Sequence, residues 1–382
     1  MRYQKILFNI LGLSWILCTS SVVSSSLFQG QVSSWLSMNQ TDQRGTLLGI
    51  RYIPQFEEEW QRPNHISLNF ENALNLVGYQ SYEDSGRTNT TLKLNWHRLW
   101  FRVASDQLEI RVGLQKINFG SANMLRPLMW FDRLDPRDPL QLTEGVWGVL
   151  AKYYFLDNHT LWFWGLSGND QTKGWEIFPS SDDDPEFGGR IQLAVPRGEI
   201  ALTTHFRKAQ ASFSFLGIPT PGYMSIQEKR IGLDGKWDLE LGLWFESSIT
   251  HQDLPVDKYK IRRMTTFGAD YTIGIGNGLY LMTEYLNMLI SDSVFGEGTQ
   301  SDFSAGLLRY PMGILDQVST MIYYDWDNSE FYRLLSWQRT YDHWQMNAIG
   351  FWNPKLMQLP QMESEHSSFL GKGIQLMLVY NH

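Results

Sequence analysis

Along most of its 382 residues the chain alternates apolar and polar side chains with a period of two. In 66–76, Ile66, Leu68, Phe70, Leu74 and Leu76 interleave with Ser67, Asn69, Glu71, Ala73 and Asn75. In 108–115, Leu108, Ile110, Val112 and Leu114 interleave with Glu109, Arg111, Gly113 and Gln115. The same rhythm runs through 199–207, 230–237 and 239–246. A strand sends successive side chains to opposite faces, so each segment is apolar on one side and hydrophilic on the other. About eighteen such segments are read, near 30–39, 46–56, 64–76, 89–103, 107–118, 145–155, 160–169, 186–195, 199–208, 228–237, 239–251, 262–273, 278–289, 301–310, 317–326, 330–339, 343–352 and 371–381. Two of them are ambiguous: 160–166 has aromatics on both parities and 317–326 is weak, and without them the count is sixteen. No later stretch reaches 18 consecutive apolar residues, so helical membrane spans are not expected.

The connections separate two architectures. Short turns, such as Ser105-Asp106, Asp157-Asn158 and Tyr341-Asp342, alternate with long loops near 77–88, 119–144, 170–185, 209–227, 252–261, 290–300 and 353–370. Strands of about 9–11 residues cross a bilayer when tilted, and short turns on one side with long loops on the other mark an outer-membrane barrel. Aromatics make up 14% of the chain, and Tyr52, Trp96, Phe155, Trp237, Tyr271, Tyr285 and Phe351 lie at or near strand ends, where membrane interfaces hold them. The expected fold is therefore all-β: one antiparallel transmembrane β-barrel over 27–382, with both termini on the short-turn, periplasmic side. A secreted soluble sandwich is the competing reading, because alternation alone does not say which face points outward.

Residues 1–26 read as an export signal. Arg2 and Lys5 precede the apolar run Ile6 to Cys18, and Ser24, Ser25 and Ser26 follow near a cleavage point. Acylation of Cys18 is the alternative, disfavoured by Leu17 before it. Cys18 is the only cysteine, which excludes an intrachain disulfide and a cysteine-rich metal site. The net charge of -8 excludes a general nucleic-acid binder.

With the apolar face outward, the polar residues line a lumen: Glu71, Arg102, Arg111, Gln115, Arg190, Arg207, Arg230, Asp234, Glu240, Glu246 and Glu284, joined by Lys93, Lys152, Gln192, His205 and Asp270. So many charges require either water or mutual pairing. A ring of sixteen to eighteen strands leaves an aqueous channel unless something fills it. The longest early loop, 119–144, mixes Arg126, Asp132, Arg133, Asp135, Arg137 and Asp138 with Leu125, Leu128, Met129, Trp130 and Phe131. Such apolar residues suit a loop folded into the barrel as a constriction that presents its charges to the pore. A capping loop merely stiffened by Asp–Arg pairs is the alternative.

The expected function is passive diffusion of small hydrophilic solutes or ions. A closed barrel that binds a surface partner, or a conduit for polysaccharide export, are the alternatives. The expected partners are outer-membrane lipid and small polar solutes, with a homo-oligomer left open. No catalytic, cofactor or metal site is expected: there is no phosphate-binding loop, Gly165 to Gly168 lacks the spacing of a nucleophile elbow, and the eight histidines are scattered. Asp182, Asp183, Asp184 and Glu186 cluster in one loop, where a solvated acidic surface is a plainer reading than a cation site.

GLQKINFGSA (Gly113 to Ala122), LRPLMWFDRLDPRDP (Leu125 to Pro139) and GGRIQ (Gly188 to Gln192) resemble a largely uncharacterised porin-like outer-membrane β-barrel family of Gram-negative bacteria. Arg111, Gly113 and Gln115, then Asn118, Phe119 and Gly120, with Asp135-Pro136 in the loop, carry the likeness, which covers about 98–207. It implies an outer-membrane channel and no particular substrate.

Overall fold

The computed structural model describes residues 23–40, 45–62, 65–82, 86, 88–181, 183–215, 222–255, 260–354 and 369–382. Eighteen strands follow in chain order: β1 (Val23–Asn39), β2 (Thr46–Arg62), β3 (Ile66–Tyr82), β4 (Thr88–Ala104), β5 (Leu108–Gln115), β6 (Val146–Tyr154), β7 (Thr160–Leu166), β8 (Glu186–Val195) and β9 (Gly198–Ser212). The second half comprises β10 (Tyr223–Asp238), β11 (Gly242–Gln252), β12 (Ile261–Ile273), β13 (Leu279–Ser291), β14 (Gly298–Pro311), β15 (Asp316–Asp325), β16 (Glu330–Thr340), β17 (Trp344–Trp352) and β18 (Lys372–Asn381). The two ambiguous segments are β7 and β15, and both pair.

Each strand lies antiparallel to its chain neighbours, and β1 pairs with both β2 and β18, so the sheet closes. At the seam Gln31 faces Asn381 and Asn39 faces Gly373, and Gly30 and His382 exchange backbone bonds of 3.1 and 3.0 Å. The described chain ends sit on the short-turn side. There the connections are 63–65, 105–107, 155–159, 196–197, 239–241, 274–278, 312–315 and 341–343. The opposite side carries the 116–145, 167–185 and 353–371 loops. Two loops are shorter than the pattern predicts, because β3 runs on to Tyr82 and β10 starts at Tyr223. Tyr79 to Tyr82 pair with Thr88 to Thr91 without apolar alternation, which a hairpin needs only where it faces lipid. β1 begins at Val23, so the tail of the expected export segment pairs with β2; residues 1–22, with Cys18, lie outside the described residues.

Exposure alternates along the strands in the sense opposite to a soluble protein. On β9, Thr203, His205 and Arg207 are buried while Leu202 is 48% exposed. On β10, Glu228, Arg230 and Asp234 are buried while Ile231 is 53% exposed. Leu243 on β11, Phe267 on β12, Ile374 and Leu376 on β18 and Ile50 on β2 extend the exposed apolar surface around the ring. An apolar belt of this extent is stable against hydrocarbon and not against water. Closure leaves no open edge inside that belt, as a lipid environment requires.

Gln31 and Asn381 face each other across the seam and share a side-chain bond of 3.1 Å although 350 residues apart. Directly opposed antiparallel residues have Cα atoms about 4.5–5.5 Å apart, within disulfide range. The pair Gln31→Cys and Asn381→Cys should therefore oxidise to an intrachain disulfide, read by mass spectrometry of the linked peptides. Intermolecular dimers alone would mean that the ring does not close at this register.

Candidate functional site

The 116–145 loop enters the barrel and packs on three parts of the wall. Ile117, Phe119, Leu128, Trp130 and Phe131 pack with Val146 and Leu150 of β6 and Trp164 and Leu166 of β7. Across the lumen, Ala122, Met124, Leu125 and Met129 join a cluster containing Trp244 of β11, Met264 of β12, Leu286 of β13, Phe303 of β14 and Tyr323 of β15. The return arm places Leu140 against a third cluster, formed by Trp35 of β1, Leu47 of β2, Val77 of β3 and Met377 and Val379 of β18.

Two carboxylates hold the crossing. Glu284 of β13 accepts bonds from the backbone N–H groups of Asn123 (2.7 Å), Met124 (2.9 Å) and Leu125 (2.6 Å), and from Trp244 Nε1 (3.0 Å). Glu246 of β11 accepts from Ala122 N (2.6 Å) and Leu128 N (3.1 Å). Thr266 Oγ1 donates to Leu125 O at 2.7 Å, and Trp130 Nε1 to Ser248 Oγ at 3.2 Å. Irregular backbone inside a barrel has no ladder to satisfy it, so side chains on the wall must do so. Two glycines permit the close approach. Gly120 has φ +96°, and a Cβ there would lie 2.2 Å from Glu246 Oε1. A Cβ on Gly232 of β10 would lie 2.3 Å from Leu128 Cδ2.

A second loop, 167–185, also folds inward. Trp175 Nε1 donates to Arg126 O at 2.7 Å, joining the two loops. Glu176 pairs with Arg230 (2.7 Å) and Arg207 (3.2 Å), and Arg207 also pairs with Glu228 (2.6 Å). Lys173 Nζ lies 3.0 Å from Glu186, which meets His205 Nε2 at 3.1 Å. Arg190 meets Asp234 at 2.6 and 2.9 Å. These side chains are almost fully buried, so on β8 to β10 the charges satisfy one another and do not line water. The inner faces of β12 to β17 depart further from a hydrophilic lining: Met264, Met282, Leu286, Phe303, Leu307, Leu334, Ile349 and Phe351 point inward. Several of them receive the apolar side chains of the 116–145 loop, which is why both parities of these strands are apolar.

The residues anticipated as lumen lining fall on inner faces in fifteen cases: Glu71 (β3), Lys93 and Arg102 (β4), Arg111 and Gln115 (β5), Lys152 (β6), Arg190 and Gln192 (β8), His205 and Arg207 (β9), Arg230 and Asp234 (β10), Glu246 (β11), Asp270 (β12) and Glu284 (β13). Glu240 is the exception. β10 ends at Asp238 and β11 begins at Gly242, so Glu240 is exposed in the turn between them. Of the six loop residues, Arg126, Asp132, Asp135 and Arg137 are buried, and Arg133 and Asp138 are half-buried. The loop packs on both sides, and most of these six charges have partners within it or on the neighbouring loop. Arg137 makes a salt bridge of 2.8 Å to Asp135 and sits over the Phe369 ring. Arg133 Nη2 donates to Thr172 Oγ1 at 2.9 Å, Arg126 bonds Asn118 Oδ1, and Asp138 Oδ1 accepts from Leu140 N at 3.0 Å. Burial pushes the Asp132 carboxyl above its ordinary pKa, opposed by Arg126, Lys116 and Arg98.

Glu186, grouped with the acidic loop in the sequence, instead opens β8 and points inward. Asp184 pairs with Lys208 at 2.7 Å, and Asp182 lies outside the described residues. Among the described residues no three His, Cys, Asp or Glu side chains converge as a metal site. Arg51, Arg98 and Lys116 were missed as participants. Arg98 Nη2 donates to Thr143 O (3.0 Å) and Oγ1 (2.9 Å), tying the return arm to β4. A bulge at Ala73/Leu74 shifts the β3–β4 register and hides which parity of β4 faces inward. At the short-turn end a cavity of about 530 Å³ is lined by Arg197, Gly198, Glu199, Lys236 and Asp238.

The architecture is a porin-type β-barrel with inward-folded loops. No family model and no curated protein matches the sequence. Solved structures share the fold. OccK9 (OpdG) of Pseudomonas aeruginosa aligns over 94% of this chain and 97% of its own, with a TM-score of 0.57 at 10% identity. OccK5 (OpdH) of the same organism gives 0.54 at 10% identity over 94% and 97%. OmpT, an outer membrane protein of Vibrio cholerae, gives 0.51 at 11% identity over 94% and 100%. At such identities the likeness establishes the fold: that of outer-membrane porins.

If Glu284 fastens the crossing, Glu284→Ala strands three backbone N–H groups and an indole N–H. Each orphaned buried donor costs about 1–3 kcal/mol. Amide hydrogen exchange over 122–128 should then accelerate by about tenfold or more while the strands keep their protection. Unchanged exchange in that segment would remove the clamp.

Proposed function

We propose that this chain is an outer-membrane channel through which small hydrophilic solutes and ions diffuse passively, with the 116–145 loop as its constriction. The observation that carries this reading is a closed barrel, apolar outside, whose lumen is crossed by a loop tethered to the opposite wall by Glu246 and Glu284. A loop held in this way narrows a passage without replacing the wall. The path runs along β3 to β5, where Lys116 and Asn118 are exposed and the inward Glu71, Arg102 and Arg111 are half-buried. In this orientation the chain termini and short turns face the periplasm and the long loops face outward.

A closed barrel is the second reading. It is favoured by the dry ion-pair network of Glu176, Arg207, Glu228 and Arg230, which occupies lumen space without lining water.

Planar-bilayer recording separates the two. The channel reading predicts discrete conductance steps for the purified protein, and larger steps when 122–133 is replaced by a Gly–Ser linker. Lys116→Gln, which removes an exposed cation beside the path, should move the reversal potential in a salt gradient toward cations. Leak-free bilayers with folded wild-type protein, opened only by the linker variant, would establish the closed barrel.

A further inference from the structure

The inner face of β15, β16, β17, β18 and β1 differs chemically from the rest of the interior. Apart from Asp325 and Glu330, which oppose each other at the loop end, its described residues include no Asp, Glu, Lys or Arg. Between apolar residues such as Leu334, Ile349 and Phe351 it carries neutral amides and hydroxyls. Gln317 faces Gln338, and Gln338 faces Asn347, forming a row across three strands. In the next row Gln375 of β18 faces Ser37 of β1. Neighbouring strands are about 4.8 Å apart, so the three-strand row spans about 10 Å, about the length of two sugar rings, and Met377 and Trp35 continue it as an apolar flank on β18 and β1.

The hydrogen-bond state of this strip is unlike that of β8 to β10, where buried polar groups partner one another. Among the described residues several inward polar atoms have no protein partner: Gln375 is 1% exposed, and neither its amide oxygen nor its amide nitrogen meets one. Asn347 is 3% exposed; its oxygen accepts from Gln345 at 3.1 Å, but its nitrogen is unpartnered. Ser33 Oγ and Trp35 Nε1, both buried, are also unpartnered. Buried amides and hydroxyls without partners are costly, and several together on one wall call for a common occupant. The arm of the 116–145 loop that carries Leu140 lies over this wall, packing on Trp35, Met377 and Val379.

An amide offers donors and acceptors side by side. A carboxylate or phosphate supplies acceptors only, and an ammonium donors only, so neither completes a row of such groups. A hydroxyl both donates and accepts. We propose that this wall is a binding strip for neutral, hydroxyl-rich solutes of the carbohydrate class, held between β17, β18 and β1 and the return arm of the loop. The proposal deepens the channel reading and rests on it for the solute's route, but the binding itself is measurable without conduction.

The test is calorimetric titration of the detergent-solubilised full-length protein with maltotriose, and with trigalacturonate as a charged counterpart of similar size. The wild type should bind maltotriose at millimolar concentration and trigalacturonate about tenfold more weakly. Gln375→Leu and Asn347→Leu should each lower maltotriose affinity about tenfold, the scale of one hydrogen-bonded group. Ser33→Ala, which changes little volume, should lower it several-fold and serves if the leucine variants do not fold. No maltotriose binding to the wild type at tens of millimolar, equal binding of both sugars, or affinity unchanged in folded variants would each overturn the strip. Parallel bilayer recordings separate the two readings. Binding with no current sinks the channel and leaves the strip standing, while current with no binding does the reverse.

Discussion

A backbone N–H or C=O facing hydrocarbon has no water to bond, so a membrane-spanning sheet must satisfy every such group itself. Here that requirement is met where β1 lies against β18, joining residues near the two ends of the chain. Everything else in the molecule is conditional on that seam. Once the ring is shut, each strand has one face toward lipid and one toward a bounded interior, and period-two alternation becomes a division between two solvents. Leu202, Ile231 and Leu243 lie on the lipid face of the strands whose other face carries His205, Arg230 and Glu246.

The interior then solves a problem created by its own size. A ring of eighteen strands is too wide for wall side chains to fill, and two loops enter it. Their backbones lack a ladder, and the wall supplies partners in two ways. Toward β11 and β13, single carboxylates each gather several N–H groups: Glu246 those of Ala122 and Leu128, Glu284 those of Asn123 to Leu125. Toward β9 and β10, the 167–185 loop is fixed by salt bridges from Glu176 to Arg207 and Arg230. Charge-assisted bonds of the first kind are stronger than neutral ones and leave no countercharge to bury. The third wall, from β15 to β1, follows neither rule: among the described residues it leaves the Gln375 amide and the Asn347 nitrogen without protein partners.

Fold and strand number were legible because few folds besides a barrel accommodate alternation over this many segments, and even the weak β7 and β15 segments fall into the ring. The inward course of the long loop was legible from Trp130 and Phe131, whose exposure to water in an outer loop would be costly. Trp175 and Phe178 carry the same signal in the second loop. What the sequence did not disclose was partnership. Nothing local distinguishes Glu246 and Glu284, which hold a loop, from Asp234, which pairs with Arg190. The loop-holding roles depend on contacts between residues more than 100 positions apart, as between Glu246 and Ala122, whereas Asp234 pairs with a residue three strands' length away in the chain. The inward apolar residues of β12 to β17 were hidden for the same reason, since their partners arrive from a distant loop. Glu240 was misplaced by a boundary error of three residues at a tight turn.

The division between two solvents is tested most directly by scanning a nitroxide spin label along 231–238 of β10 in liposomes and measuring collisions with oxygen and with a water-soluble nickel chelate. Labels at Ile231 and Leu233 should favour oxygen and labels at Lys236 and Asp238 the nickel chelate, because the former face outward and the latter line the cavity at the short-turn end. Nickel access at Ile231 and Leu233, with oxygen preferred at Lys236 and Asp238, would mean that the barrel is turned the other way and does not reside in a membrane.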